Sequence, residues 1–184
     1  MRTLLFALTM LVSMAASAAT NTGTEADHEQ LRQLLLTAQQ AVNDDKPELL
    51  QAHLHPDSVV TLMNQDVVTE GKSIKEVFYE WFKQPEALLK SLRTAPEASI
   101  QTNIYGGQFG FCYGTSLDTY ELNDGREFQF QSSWTATVIK EGDEWQLLAL
   151  HVGVNPIENP LIDSYRKGLG FGGVLIEIGR RVFN

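Results

Sequence analysis

Asp57 and His151 are the pair of side chains in this sequence best suited to move a proton near neutral pH. An imidazole titrates close to neutrality, and a carboxylate beside it can orient it or share the work of acid and base in an elimination or an isomerisation. A hydrogen-bonded structural role is the competing reading of His151. His53-Leu54-His55 offers two more imidazoles, but near-adjacent positions at a helix end do not converge, and a metal site needs further ligands with support behind them. No metal and no cofactor is therefore expected. Phe78, Trp81, Tyr113 and Trp134 are the aromatic residues that could wall an apolar ligand, and the same side chains serve equally as core. Cys112 is the single cysteine, so the chain holds no internal disulfide. With no His or basic residue near it in sequence, that thiol is expected to be a small strand residue.

These groups must be positioned by a chain of 184 residues with 43% hydrophobic and 20% charged residues, enough for one domain with short appendages. Met1-Arg2, the apolar run Leu4 to Val12 and the small residues Ser13 to Ala19 have the layout of a secretory leader, with cleavage after Ala18 or Ala19. Residues 1–19 are accordingly set outside the fold, and 20–25 are expected to be a loose lead-in. An exported, periplasmic or secreted domain over 26–160 follows from this. The net charge is −9, and losing Arg2 with the leader makes the remainder one unit more negative. Nucleic acid needs a basic face, which no run of Lys or Arg outside Arg180-Arg181 supplies.

Leu31, Leu34, Leu35, Ala38 and Val42 recur at three and four, predicting a first helix over 27–43 with Thr24 as cap and Asp27 closing a capping box. Asp45-Lys46-Pro47-Glu48 predicts a second, short helix over 47–53 capped by Asp45. His55-Pro56 breaks it, and Val59 to Met63 with Val67 to Thr69 reads as a hairpin. Ser73 and Glu76 start a third helix carrying Ile74, Val77, Phe78, Trp81 and Phe82, and Pro85 ends or kinks it. Beyond Pro96 strands are expected over 99–105, 108–122, 126–140 and 144–155, divided by glycine turns. The fold class that results is α+β: a cone-shaped, curved antiparallel sheet with three helices packed on one face and a pocket within the cone.

Val68-Thr69-Glu70-Gly71-Lys72-Ser73-Ile74 and Glu144-Trp145-Gln146-Leu147-Leu148-Ala149-Leu150-His151, with this element order over residues 25–160, resemble the SnoaL-like branch of the nuclear transport factor 2-like superfamily. The resemblance implies the cone fold and a family of isomerases, cyclases, dehydratases and association domains, among which fold alone does not choose. For steroid isomerases of this family the chemistry is an Asp base with an oxyanion hole of Tyr and a protonated Asp. Registered on this sequence, the base position falls on Leu62, the acid on Thr135 and the tyrosine on Ala38, so that chemistry has no residues here.

The expected function is binding of a small apolar or amphipathic molecule, or of a protein partner. A hydro-lyase or isomerase using Asp57 and His151 and a scaffold that only dimerises through its sheet are the alternatives. A homodimer is expected. The apolar, glycine-rich tail over 161–184 is too short between Lys167 and Glu177 to span a bilayer, and is expected to pack on the protein or touch a membrane surface.

Overall fold

The computed structural model describes residues 21–70, 72–87, 89–155 and 159. The expected leader and the 161–184 tail lie outside the described residues.

Helix α1 (Glu25–Asn43) begins two residues ahead of the expected 27, directly after the expected cap: Thr24 accepts from the Asp27 backbone, and the Asp27 carboxylate returns to the Thr24 N–H. Its stripe from Leu31 to Val42 packs on the core. The helix ends in a Schellman turn, with Lys46 N–H donating to Ala41 O at 2.8 Å and Asp45 N–H to Val42 O at 3.3 Å. Asp45 is thereby drawn to φ 54° and cannot also cap the next helix. This corrects the expected cap: α2 (Pro47–Gln51) starts at Lys46 without a side-chain bond, helped by Pro47 at its first position.

Strand β1 (Leu54–Thr61) begins five residues ahead of the expected hairpin and runs through Pro56. Its register against its partner shifts between Leu54 and Val59, the kind of irregularity that tolerates a residue lacking an N–H. β2 (Val67–Val68) pairs antiparallel with β1. α3 (Ile74–Phe82) is capped by Ser73 and Glu76 as predicted and buries Ile74, Val77 and Phe78.

The strand expected over 99–105 is corrected to two. β3 (Leu89–Ala98) lies upstream, and only Asn103–Tyr105 remains as β4. β3 is an edge strand, which is why Pro96 is accommodated within it. The Asn43 side chain accepts from Thr94 N–H at 2.7 Å and donates to Thr94 O at 3.0 Å, closing part of that open edge. β5 (Phe109–Leu122), β6 (Glu127–Glu141) and β7 (Glu144–Val154) form the long meander. Gly125 and Gly142 turn its two hairpins at φ 85° and 60°.

The sheet order is β2-β1-β7-β6-β5-β3, with β4 also on β5. β1 and β7 are parallel, so the curved, unclosed sheet is mixed and not wholly antiparallel as expected. The last strand enters between the first hairpin and the meander, a placement that no local signal announces.

Three further features fix the geometry inside the cone. Residues 21–24, expected loose, dock on β4: Thr22 N–H donates to Ile104 O at 2.8 Å and Asn21 Oδ1 accepts from Ile104 N–H at 3.1 Å. The Asp27 carboxylate, besides capping α1, accepts from Lys140 Nζ at 2.8 Å on β6 and Trp145 Nε1 at 3.0 Å on β7. The Lys140 ammonium first, then the Thr24 and Trp145 donors, hold its carboxyl well below the usual carboxylate range despite burial. Finally, the register slips between Thr137 and Val138, which pair with Ala149 and Leu147, leaving Leu148 as an extra residue. Leu147 and Leu150 consequently share the inner face, where unbroken period-two alternation would put them on opposite faces.

Candidate functional site

Between the inner sheet face and helices α1 and α3 lies a cavity of about 520 Å³, a volume ordinary for a small-molecule site. Leu31, Leu35 and Val42 of α1, Phe78, Trp81 and Phe82 of α3, and Trp134, Ala136, Leu150 and Val152 of the sheet make its wall predominantly apolar. Phe78, Trp81 and Trp134, named from the sequence as candidate ligand contacts, are thus on the cavity wall. Trp134 Nε1–H donates to Thr115 O at 3.1 Å, fixing the indole across Gly114.

Tyr113 does not join them. It lies on the outer face of β5 and is 43% exposed, because the inward series on that strand is Gly110, Cys112, Gly114, Ser116, Asp118. The proposed catalytic pair is not brought together either. Asp57 leaves 89% of its side chain in water beside His55, whose Nε2 lies 3.1 Å from Glu141 Oε1. His151 is exposed on the outer face, opposite Thr61 and Thr135, turned there by the extra residue at Leu148. Neither lines the cavity. Among the described residues no group of three His, Cys, Asp or Glu side chains converges as metal ligands would.

Sequence reasoning passed over two residues that do line it. His28 is buried at the start of α1, close under Gly23. Extending the stripe of Leu31, Leu35 and Ala38 one step toward the N-terminus would have reached it. Asp118 is 2% exposed on β5. Its Oδ1 accepts from Thr94 Oγ1 and Ser116 Oγ, each at 2.7 Å, and its Oδ2 from Ser132 Oγ at 2.6 Å. Strand pairing assembles this set: Thr94 stands opposite Asp118, and Ser116 opposite Ser132. The available signal was two polar residues, Ser116 and Asp118, in the same alternating series as Tyr120 and Leu122. Tyr120 itself stacks on Phe130 with centroids 4.7 Å apart and directs its hydroxyl to Met63 Sδ. Burial, and then the Asp118 charge, push its phenol far above its ordinary pKa, so it stays protonated. Burial likewise raises the thiol of Cys112, against a lowering hydrogen bond with Thr102, which fits the inert strand residue expected.

No protein-family model matches the chain, and no curated protein matches it. Solved structures with the same architecture include a hexachlorocyclohexane dehydrochlorinase, LinA type 3 from Novosphingobium barchaimii, at TM-score 0.61 and 10% identity over 71% of this chain and 87% of that one. A domain with a cystatin-like fold from Nostoc punctiforme aligns at TM-score 0.60 and 16% identity over 87% and 96% of the two chains. A third, a cystatin-like protein from Caulobacter vibrioides, aligns at 0.54 and 15% over 70% and 90%. The fold is the one these solved structures share, cystatin-like in the second and third. At such identities the likeness is one of fold. Leu62 and Ala38 line the cavity, at the places the sequence resemblance gives to a base and a tyrosine, whereas Thr135 points outward and its inward neighbours are Trp134 and Ala136. Among the described residues, the titratable side chains on the cavity wall are His28, Arg32, Cys112 and Asp118.

Proposed function

We propose that this chain is an exported ligand-binding domain that holds a small apolar or amphipathic molecule in its cone. The observation that carries the reading is the cavity: about 520 Å³, walled by aliphatic and aromatic side chains, with Asp57 and His151 both outside it. Native mass spectrometry of the protein purified from its own compartment would reveal a retained ligand as added mass. Trp81 and Trp134 supply an intrinsic fluorescence signal for added hydrophobic dyes. Substituting Ala38→Trp, on the α1 wall, is expected to weaken dye binding more than tenfold by occupying the space, at a cost in stability of about 1–3 kcal/mol. A variant that remained folded and bound dye like the wild type would overturn the cavity as the site.

The same proposal includes a homodimer formed through the outer sheet face. Phe109, Phe111, Tyr113 and Leu117 leave 41–50% of their surfaces exposed in one row along β5, with the Phe111 and Tyr113 rings 6.3 Å apart. Soluble monomers seldom present so continuous an apolar row. Phe111→Glu is expected to turn a dimer into a folded monomer in sedimentation velocity. A wild type already monomeric at tens of micromolar would refute the dimer, and truncation after Lys167 would show whether the tail covers this face instead.

A further inference from the structure

Resting on the ligand-binding reading, we infer that the Asp118 cluster is a subsite for a cation, and that the molecule held in the cone is an apolar amine carrying a protonated nitrogen. Four short oxygen–oxygen contacts define the cluster: Thr94 to Ser116 at 2.7 Å, each of these to Asp118 Oδ1 at 2.7 Å, and Ser132 to Oδ2 at 2.6 Å. Three hydroxyl groups bring three protons to four contacts, so at most three of the four are hydrogen bonds at any moment. An ionised carboxylate has about four acceptor positions and the three hydroxyls fill at most three, which leaves room for a donor from the cavity that Asp118 lines.

Charge points the same way. Among the described residues Asp118 has no ion-pair partner, although it is buried more completely than Asp27, which has Lys140. The nearest cations of the neighbouring strands are committed elsewhere: Arg93 to Glu127 and Lys90 to Glu121. Arg32 also lines the cavity but is held by Glu25 and Glu29, about 16 Å along α1 from Asn43, the residue that binds Thr94 beside the cluster. That end of α1 carries no basic residue in its last turn, and the helix dipole adds negative potential there. A buried carboxylate without a counter-ion is costly in an apolar enclosure, and a ligand ammonium supplies both the charge and a donor for the acceptor position left open. Carboxylate ligands are disfavoured by the same field.

Calorimetry on the mature full-length chain at pH 7 with 4-phenylbutylamine, 4-phenylbutan-1-ol and 4-phenylbutyrate tests this, since the three differ only at the polar end. The amine is expected to bind at least tenfold more tightly than the alcohol, with the acid weakest. Asp118→Asn should bring the amine to the affinity of the alcohol while leaving the alcohol within about threefold. The wild-type ranking decides the matter even if that variant fails to fold. An amine no tighter than the alcohol overturns the cation subsite and leaves the cavity reading intact, whereas no binding of any of the three overturns both.

Discussion

Replacing Asp27 with Ala is expected to lower the unfolding free energy at pH 7 by about 2–4 kcal/mol, the sum of a lost helix cap and of charge-assisted bonds left unmade. The substitution removes the acceptor for Thr24 N–H, Lys140 Nζ and Trp145 Nε1 together, and so frees the start of α1 from β6 and β7. Lys140 keeps about a fifth of its side chain in water and can resolvate, which holds the loss below that of a fully buried pair. The effect must depend on pH in a definite sense. Because the folded carboxyl is depressed below its unfolded value, the stabilisation is fully present above about pH 4 and fades as pH falls through the acid range toward the folded pKa. Urea midpoints of wild type and variant should converge as pH is lowered from neutrality into that range. Curves that stay parallel down to pH 3 would remove Asp27 from the acid-sensitive set.

Gly114→Ala should cost about 3 kcal/mol or more, at the upper end of overpacking penalties. A methyl group there would lie 2.0 Å from the backbone oxygen of Glu97 and 2.5 Å from the Trp134 ring. The ring is held by its bond to Thr115 O, and the Glu97 carbonyl belongs to the β3 backbone, so neither neighbour is a flexible side-chain end. The substitution must push β3 off β5 or expel the indole into the cavity. Amide exchange along Arg93 to Ala98 and the fluorescence of Trp134 report those two outcomes separately. A variant melting within about 1 °C of wild type would show that the strands part more easily than this packing allows.

What the sequence discloses follows the range of the interaction. The capping boxes of Thr24 with Asp27 and Ser73 with Glu76 involve residues three apart, and both caps form as the sequence predicts. Asp45 was misread because one residue cannot serve a Schellman turn and the next cap at once, and the competition is decided by whether α1 runs on to Asn43. β3 escaped notice because Leu89 to Ala98 has few β-branched or aromatic residues and a proline. Its strand character comes from β5 alongside it. The inward placement of Phe78, Trp81 and Trp134 follows from period and size. Tyr113 and His151 depended on strand parity, which a single extra residue at Leu148 inverts on β7 and which β5 settles through its inward Gly114. Asp118 was the largest omission: its meaning comes from Thr94 and Ser132 on two other strands, and neither adjacency is written nearby.

The parallel pairing of β1 with β7 also dictates when the molecule can finish folding. Val60 meets Leu150 about ninety residues later, and Asp27 meets Lys140 at a separation of 113. The entropy of closing such loops must be overcome before either contact gives anything back, placing this topology among slow, late-committing folders. Until the final strand is available, α1 lacks its Trp145 anchor and the first hairpin lacks a neighbour on its β1 side. A chain emerging from a ribosome therefore stays open until β7 has been made, a delay that suits the proposed export of the chain as an unfolded thread.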